Sequence, residues 1–453
     1  MKHYALIFFF LAWGLSLSAQ KVLTVEEVLD WALENHPVAG MAEAVELQGP
    51  AALLRSQGAF DPKVFGAYDR KEYLGTEYFN YGDAGVEWQS PYAVKVAAGF
   101  QWASGTYLSD ENFISQDVQS YIGIKLPLLQ GLLTDAARID RRRGDVAVDR
   151  QRAVAEIIRN ELRYDVTVLY AEWLFAERSL IINQETEVLL ETYLRDTREL
   201  FRQGDKPAVD TLEATIYLGT QRLATEQATI DARLARLALA EVYWPMRDEM
   251  SPFVFSNDLL QLPAGNNWAA NHPELRDLQL TISDYQLEQR LKQEKLKPVL
   301  DVNYYLLGDG FQLPAGDDQY GGPLDRAYKI GATLSYPILN RKARGDVQLG
   351  KLKILEGEAK LADKQQALGY KAQAYADAVT AYTNQLAQAD ILTEQAERLL
   401  IAERDLFRLG ESTQFLLNAR QQALQKALLV AEKLRFSRNK AVMTYRYLVA
   451  NWL

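Results

Sequence analysis

The sequence has no cysteine and only three histidines among its 453 residues. Without cysteine there is no disulfide bond, no thiol chemistry and no side chain that could carry a lipid anchor behind a leader. His36 and His272 each precede a proline, which favours helix breaks at equivalent points of a repeat over a metal pair. The HExxH metal motif, the phosphate-binding glycine loop and the serine nucleophile elbow are also missing. We therefore expect no enzyme activity, no cofactor and no metal.

Long apolar runs are missing beyond the first twenty residues. Lys2 and His3 precede an apolar run over residues 4–17, and Ser18 and Ala19 follow it. This pattern predicts a secretory signal peptide over residues 1–19, because the run is shorter than the ~20 residues of a spanning helix. No later segment is long and apolar enough to span a membrane as a helix.

The charge balance is acidic, with 60 aspartates and glutamates against 50 lysines and arginines and a net charge of −10. Such a balance argues against nucleic acid as a partner. The chain is 48% hydrophobic and 24% charged, which is ordinary for a folded protein. That composition excludes both a disordered chain and a bundle of membrane helices.

The chain is a duplicated unit. Asn35-His36-Pro37 recurs as Asn271-His272-Pro273, and Phe201-Arg202-Gln203-Gly204 recurs as Phe407-Arg408-Leu409-Gly410. Leu126-Pro127 also has a counterpart in Tyr336-Pro337. These landmarks keep the same order, which is typical of an internal repeat. The first copy carries 26 extra residues within its strand region, because 65 positions separate Pro62 from Pro127 and only 39 separate Pro298 from Pro337.

Each copy is predicted to form a helix, strands, a very long helix, a turn and a return helix. The predicted parts are the signal peptide (1–19), the first repeat (20–245, with strands at about 62–127 and a helical hairpin at about 132–243), a linker (246–270) and the second repeat (271–453, with strands at about 298–336 and a hairpin at about 341–448).

The predicted strands alternate apolar and polar residues. Leu300, Val302, Tyr304 and Leu306 alternate with polar neighbours, and residues 118–126 do the same. Over ~9–11 residues this pattern suits a strand of a membrane barrel. A soluble, half-buried strand has the same alternation, so both readings stay open at this point.

The predicted helices are far longer than those of ordinary globular domains. Residues 132–202 and 341–408 contain no proline and would extend over ~100 Å at 1.5 Å per residue. Leu392, Leu399 and Leu406 repeat every seven residues, as in a coiled coil. Each long helix ends at a glycine, and a return helix about half as long follows.

Taken together, the duplicated order resembles the TolC family of outer-membrane factors over nearly all of the mature chain. The residues that carry the resemblance are Leu23-Thr24-Val25, the Asn-His-Pro pair, Pro127-Leu128-Leu129-Gln130-Gly131 and both Phe-Arg-x-Gly turns. The resemblance implies a mainly α fold with membrane β structure. It further implies a homotrimer of twelve strands, in which an α-barrel and a β-barrel form one tube across the outer membrane and periplasm. A periplasmic adaptor and an inner-membrane transporter are the implied partners, with outer-membrane lipid around the barrel.

The family frame also assigns sites. The two helical turns imply contacts with an adaptor, the acidic pair Asp210 and Glu213 implies a periplasmic gate, and the prolines and glycine after the strands imply strand exits. The turn residues are Gln203, Gly204, Asp205, Leu409, Gly410 and Glu411; the exits are Pro127, Gly131 and Pro337. Three acidic pairs would form a ring of carboxylates that attracts cations. Acidic residues are also favoured at any solvated helix N-terminus, so both readings of the pair stay open.

The expected function is the exit duct of a tripartite efflux or type I secretion system. The alternative is a periplasmic coiled-coil adaptor or scaffold without a pore. The sequence leaves open the cargo, the adaptor and pump, and the gating trigger. It also leaves open whether the 26 extra residues, which include alternating segments at 86–88 and 94–102, add strands to the barrel.

Overall fold

The structure is a computed structural model that describes residues 22–108, 114, 118–247, 254–255, 268–308, 310–311 and 327–452. The predicted signal peptide and most of the predicted linker lie outside these residues. The chain divides into two compact units, and each unit contains segments of both repeats. None of the described helices is both long enough and apolar enough to cross a membrane.

Eight α-helices are described. They are α1 (Val25–Asn35), α2 (Pro37–Gln57), α3 (Ala136–Gln203), α4 (Ala208–Val242), α5 (Trp268–Asn271), α6 (Pro273–Glu294), α7 (Arg341–Arg408) and α8 (Gln414–Val449). Thr24 caps α1 by accepting a hydrogen bond from the Glu27 amide at 3.2 Å. The helices α3 and α7 contain 68 residues each, as the proline-free runs predict.

Eight strands are described, and they form two sheets. They are β1 (Val22–Leu23), β2 (Lys63–Tyr73), β3 (Thr76–Gln89), β4 (Lys95–Ser104), β5 (Val118–Pro127), β6 (Val254–Phe255), β7 (Val299–Leu307) and β8 (Tyr328–Ser335). The short strands β1 and β6 pair in parallel. The other six form one antiparallel sheet in the order β2-β3-β4-β5-β7-β8.

The first unit comprises residues 1–39, 160–264 and 371–453, and its described part is almost entirely helical. Its core joins α1 to α3, α4 and α8 through Val28, Val166, Leu239 and Val442, which are all buried. The buried Tyr170 hydroxyl donates to the Leu23 carbonyl at 2.6 Å. This contact holds Leu23 against the long helix α3.

The second unit comprises residues 40–159 and 265–370 and contains the six-stranded sheet. Ion pairs join its short helices to its long ones: Arg143 Nε lies 2.6 Å from Asp284, and Arg159 lies 2.8 Å from Glu46. Where α2 meets α3, a Cβ on Gly49 would lie 2.8 Å from the Cα of Val148. A glycine is therefore required there for the two helices to approach so closely.

The 26 extra residues add two strands to the sheet. Strands β3 and β4 lie inside the sheet, with β2 on one side and β5 on the other. The resemblance implies twelve strands in a trimer and therefore four in each chain. The six-stranded sheet differs from that expectation.

Candidate functional site

Both long helices end in the same turn. Gly204 has φ +84° and Gly410 has φ +77°. The amides of Asp205 and Glu411 each donate to the carbonyl five residues earlier, at 2.9 Å. This is the Schellman arrangement, in which a left-handed residue closes a helix. The two turns, with Gln203 and Leu409 before their glycines, therefore form matching tips on the two helical hairpins.

Most side chains of the tips are solvent-exposed. Gln203, Asp205 and Glu411 are exposed, and Leu409 is 73% exposed. A leucine this exposed at the end of a helical hairpin is available to a partner protein.

The acidic pair lies at the start of α4, within two turns of the first tip. Asp210 is 3.6 Å from the Lys206 ammonium, and Glu213 accepts a hydrogen bond from the Tyr217 hydroxyl at 2.8 Å. That bond raises the pKa of Tyr217. The charge of Asp210 is thus partly balanced by Lys206 within the chain, whereas the hydrogen-bond donor to Glu213 is an uncharged hydroxyl.

The second tip is held by a different group. Glu403 of α7 is only 6% exposed; it accepts hydrogen bonds from Ser412 in the turn and from Arg420 of α8, the latter at 3.3 Å. The hydrogen bond from Ser412, followed by Arg420, holds the pKa of Glu403 below its usual value of 4.5. One carboxylate therefore joins both helices of the hairpin to its turn.

A buried layer of amides lies behind the tips. Gln221 of α4 donates to the side-chain and main-chain oxygens of Asn183 in α3, both at 3.0 Å. Gln425 of α8 donates to Asn183 Oδ1 at 3.2 Å and to Gln221 Oε1 at 3.0 Å. The layer therefore joins helices of both repeats. Amides buried in a helical seam fix the register of the helices.

The first strand exit is a tightly bonded turn. Pro127 is the last residue of β5, and the Leu128 amide donates to the Leu300 carbonyl at 2.7 Å. Gly131 has φ +94°, and its amide donates to the buried Glu294 carboxylate at 3.1 Å. Left-handed backbone at this point turns the chain from the sheet toward α3.

The second exit is shorter. Pro337 lies two residues after β8 and four before α7, whereas α3 begins nine residues after Pro127. Asn340 takes the left-handed conformation here, with φ +40°, and its side chain donates to the Leu296 carbonyl at 3.4 Å. The two exits therefore differ in geometry, as the replacement of Gln130-Gly131 by Asn340-Arg341 indicates.

The six-stranded sheet has one apolar face. The register aligns one row of residues across all six strands, and every member is apolar or tyrosine. The row is Val64, Val86, Ala98, Ile122, Leu306 and Tyr328. Val64 is 84% exposed, and Ile330 and Leu334 on the same face are also exposed. This is the face that a soluble sheet would have to cover.

The opposite face carries polar groups and glycine. Cross-strand pairs on it include Asp83 opposite Gln101 and Lys125 opposite Asn303. Lys125 also lies 3.5 Å from Asp301. An apolar and a polar face on strands of 8–14 residues is the pattern of a membrane barrel wall.

An unpartnered apolar seam runs along α4. Val209, Ile216, Leu223, Ile230 and Leu237 repeat every seven residues, and all are more than half exposed. A repeat of seven indicates a coiled-coil contact with another helix. On α7, Leu392, Leu399 and Leu406 have the same spacing and are likewise exposed.

Sequence reasoning missed the seam of α4, the amide layer and Glu403. The seam has a readable signal in its seven-residue spacing. Asn183 has one too, because it lies seven residues before Leu190 and fourteen before Thr197 on the buried side of α3. Nothing in the sequence marks Glu403.

Comparisons with known proteins agree with this architecture. No protein-family profile matches the chain, and no curated protein matches it in sequence. Among solved structures, the Campylobacter jejuni CmeC outer membrane channel matches with TM-score 0.69 and 13% identity, over 94% of this chain and 85% of that one. The open-state Neisseria gonorrhoeae MtrE outer membrane channel gives TM-score 0.69 and 12% identity, over 94% and 89%. The Vibrio cholerae outer membrane protein VceC gives 0.68 and 10%, over 94% and 96%.

These matches extend over both repeats, including the hairpins and the sheet. At such low identity they establish the architecture. The chain has the fold of the TolC-like outer-membrane channels.

Proposed function

We propose that this protein is the outer-membrane subunit of a tripartite efflux or type I secretion system and forms its exit duct. The observation that carries the proposal is the exposed apolar face of a six-stranded sheet in a chain that also holds two long helical hairpins. The duct itself uses no energy, and an inner-membrane transporter drives the cargo through it. The chain catalyses no reaction of its own.

The open edges of the sheet support assembly from several copies. Among the strands that the structure describes, β2 and β8 each have a neighbour on one side only. Unpaired backbone amides and carbonyls cannot remain in lipid, so the two edges must pair with other strands. Six strands are too few for a barrel, which needs at least about eight. A homotrimer, in which β8 of one protomer pairs with β2 of the next, satisfies every edge.

The seam of α4 supports the same assembly at the level of the helices. Each of its five heptad residues remains more than half exposed in the part of the chain that the structure describes. Each leucine or isoleucine buried in a coiled coil stabilises the assembly by ~1.5–3 kcal/mol. A second copy is the occupant that we assign to this seam, because its seven-residue repeat fits a helix of another protomer.

The tips are the proposed contact with a periplasmic adaptor. Gln203, Gly204, Asp205, Leu409, Gly410 and Glu411 form two matching, exposed turns. Asp210 and Glu213 lie within two turns of the first tip and would form a ring of six carboxylates in a trimer. We assign to this ring the periplasmic gate and a preference for cations.

The proposed location is the outer membrane of a Gram-negative-type bacterium, with the hairpins in the periplasm. The alternative, an adaptor or scaffold without a pore, would leave the apolar face of the sheet in water. Contiguous apolar surface of this kind is rare on soluble proteins. The exposed Val64, Ile330 and Leu334 therefore favour the channel.

The test is to purify the mature chain in detergent, image it by electron microscopy and reconstitute it in planar bilayers. We expect threefold particles with a detergent belt and discrete single-channel currents. Monomeric particles without a belt, from a protein that a carbonate wash removes from the membrane, would contradict the channel and support the scaffold. Threefold particles without conductance would place a seal at the tips, which Asp210→Ala with Glu213→Ala would open.

A further inference from the structure

The two strands added by the 26 extra residues are integral to the sheet. The register of β3 runs against β2 from Lys63 opposite Glu87 to Tyr73 opposite Thr76, with one irregularity at Lys71 and Glu72. The register of β4 runs against β5 without a break, from Lys95 opposite Lys125 to Trp102 opposite Val118. A hairpin that merely capped the barrel would not separate β2 from β5.

The added strands share the apolar face of the others. Val86 of β3 and Ala98 of β4 occupy the middle of the row that crosses all six strands. In the next row Trp88 of β3 and Val96 of β4 lie beside Ile124 of β5. The alternation of faces therefore continues through the added strands in phase. A shift by a single residue would have put their polar residues on the apolar face.

The polar face ties the added strands to β5 by side-chain contacts. The Tyr121 hydroxyl of β5 passes over Gly99 of β4 and donates to Asp83 of β3 at 2.9 Å. A Cβ on Gly99 would lie 2.8 Å from that hydroxyl. On the apolar face, Trp102 of β4 covers Gly82 of β3, where a Cβ would clash with the indole. Glycines thus allow aromatic side chains to lie across neighbouring strands.

The added strands also have the length that a bilayer requires. Strand β4 has 10 residues and β3 has 14. A strand of 10 residues rises ~34 Å, and a tilt of ~45° reduces this to ~24 Å along the membrane normal. This height matches the ~25 Å apolar band of outer-membrane barrels.

We propose that each protomer contributes six strands to the membrane barrel, so that three copies close an eighteen-stranded β-barrel. The inference rests on the proposed function, since it needs three copies in a membrane. Barrel diameter grows roughly linearly with strand number, so eighteen strands give a bore about one and a half times as wide as twelve. Barrels of ~16–18 strands enclose an open aqueous channel. The outer-membrane section therefore does not restrict cargo, and size selection rests with the helical tips.

The test uses variants that each carry one cysteine, and each pair of variants compares the two faces of one strand. Because the sequence has no cysteine, no native thiol has to be removed. On β4, Ala98→Cys lies on the apolar face and Ala97→Cys on the polar face. On β8, a strand already expected from the sequence, Ile330→Cys and Lys329→Cys form the matched pair. Each variant is labelled with a bimane and reconstituted in phosphatidylcholine vesicles. Emission is then measured with a nitroxide acyl-chain lipid and with aqueous iodide.

We expect Ala98→Cys and Ile330→Cys each to lose at least about half of their emission to the nitroxide lipid, and Ala97→Cys and Lys329→Cys to respond to iodide instead. If the β8 pair behaves so but both β4 positions respond only to iodide, the added hairpin lies outside the membrane and the eighteen-stranded barrel is wrong. If the β8 pair also avoids lipid, the proposed function itself fails. Class averages of the unsubstituted protein give an independent measurement, because a twelve-stranded barrel would be about two thirds as wide.

Discussion

Gln425 donates a hydrogen bond to Asn183 across 3.2 Å, although the two residues are 242 positions apart and belong to different repeats. Gln221 completes the group from a third helix. The three amides hydrogen-bond one another, and Asn183 and Gln221 are buried while Gln425 is half-buried. Their position behind the tips makes them the point at which the two hairpins are held in one register.

Removing one amide from this layer should destabilise the protein. Gln425→Ala leaves Asn183 and Gln221 with unmet hydrogen-bonding capacity in a buried site, and we expect a loss of ~1–3 kcal/mol in the free energy of unfolding. Denaturant unfolding in detergent measures it. The matched control is Gln227→Ala on α4, since Gln227 is exposed and donates to Asp231 on the surface of the same helix. Equal effects of the two substitutions would show that the layer contributes no particular stability.

Charge at the first tip should control ion preference. Asp210→Asn with Glu213→Gln removes the carboxylates while keeping the shape of the side chains, so we expect the ratio of cation to anion permeability to fall. Lys206→Gln should raise that ratio, because it frees the Asp210 charge from an ammonium 3.6 Å away. Reversal potentials in asymmetric salt measure both effects. Asp231→Asn, farther along α4, is the control, and a change as large there would remove the special role of the tip.

Acid should loosen the second tip. The pKa of Glu403 is lowered in the folded chain, chiefly by the hydrogen bond from Ser412. Its stabilising effect is therefore fully present above pH 4.5, the usual pKa, and is lost as pH falls through the lower, folded value. We expect faster hydrogen exchange at Gly410 and Glu411 below that point. Ser412→Ala should move the onset up toward pH 4.5. A turn that exchanges at the same rate from pH 3 to pH 6 would contradict this account.

The sequence predicts the helices well because their limits are local. Gly204 and Gly410 stop α3 and α7, and Asn340 turns the chain directly into α7. The start of α3 was expected at residue 132 but lies at Ala136, where Asp135 accepts a hydrogen bond from the Arg138 amide at 2.8 Å. A preceding loop bonded to Glu294 delays the helix, and that partner is more than 160 residues away.

The extent of β2 was harder to predict for a physical reason. The C-terminal half of β2 carries the charged run Asp69-Arg70-Lys71-Glu72, so apolar and polar residues do not alternate there. Its strand character comes from pairing with β3, not from its own pattern. The amide layer has the same kind of origin, since each glutamine alone is typical of a solvated helix face.

The seam of α4 should be required for assembly. Leu223→Asp with Ile230→Asp places charges at two positions of the heptad row, and burying them against another helix would be costly. We expect the trimer to dissociate into monomers, as measured by light scattering in detergent. Both side chains are exposed in the single chain, so its helical content should not change. Thr229→Asp, an exposed position adjacent to the row, is the control. A trimer that tolerates the double substitution would assign the seam to another partner.

Left-handed backbone at the tips gives a prediction that separates geometry from packing. Gly204→Ala and Gly410→Ala meet no atom within 4 Å, so their only cost is the conformation, at φ +84° and +77°. Each should lose ~1–2 kcal/mol of unfolding free energy. Gly219→Ala on α4 also meets no atom within 4 Å but has helical backbone, so it should gain ~0.5–1 kcal/mol. Thermal or denaturant unfolding compares the three variants. The change in unfolding free energy should be a loss for the two tip variants and a gain for Gly219→Ala. A gain at all three positions would mean that the folded chain does not hold its tips in the Schellman turn.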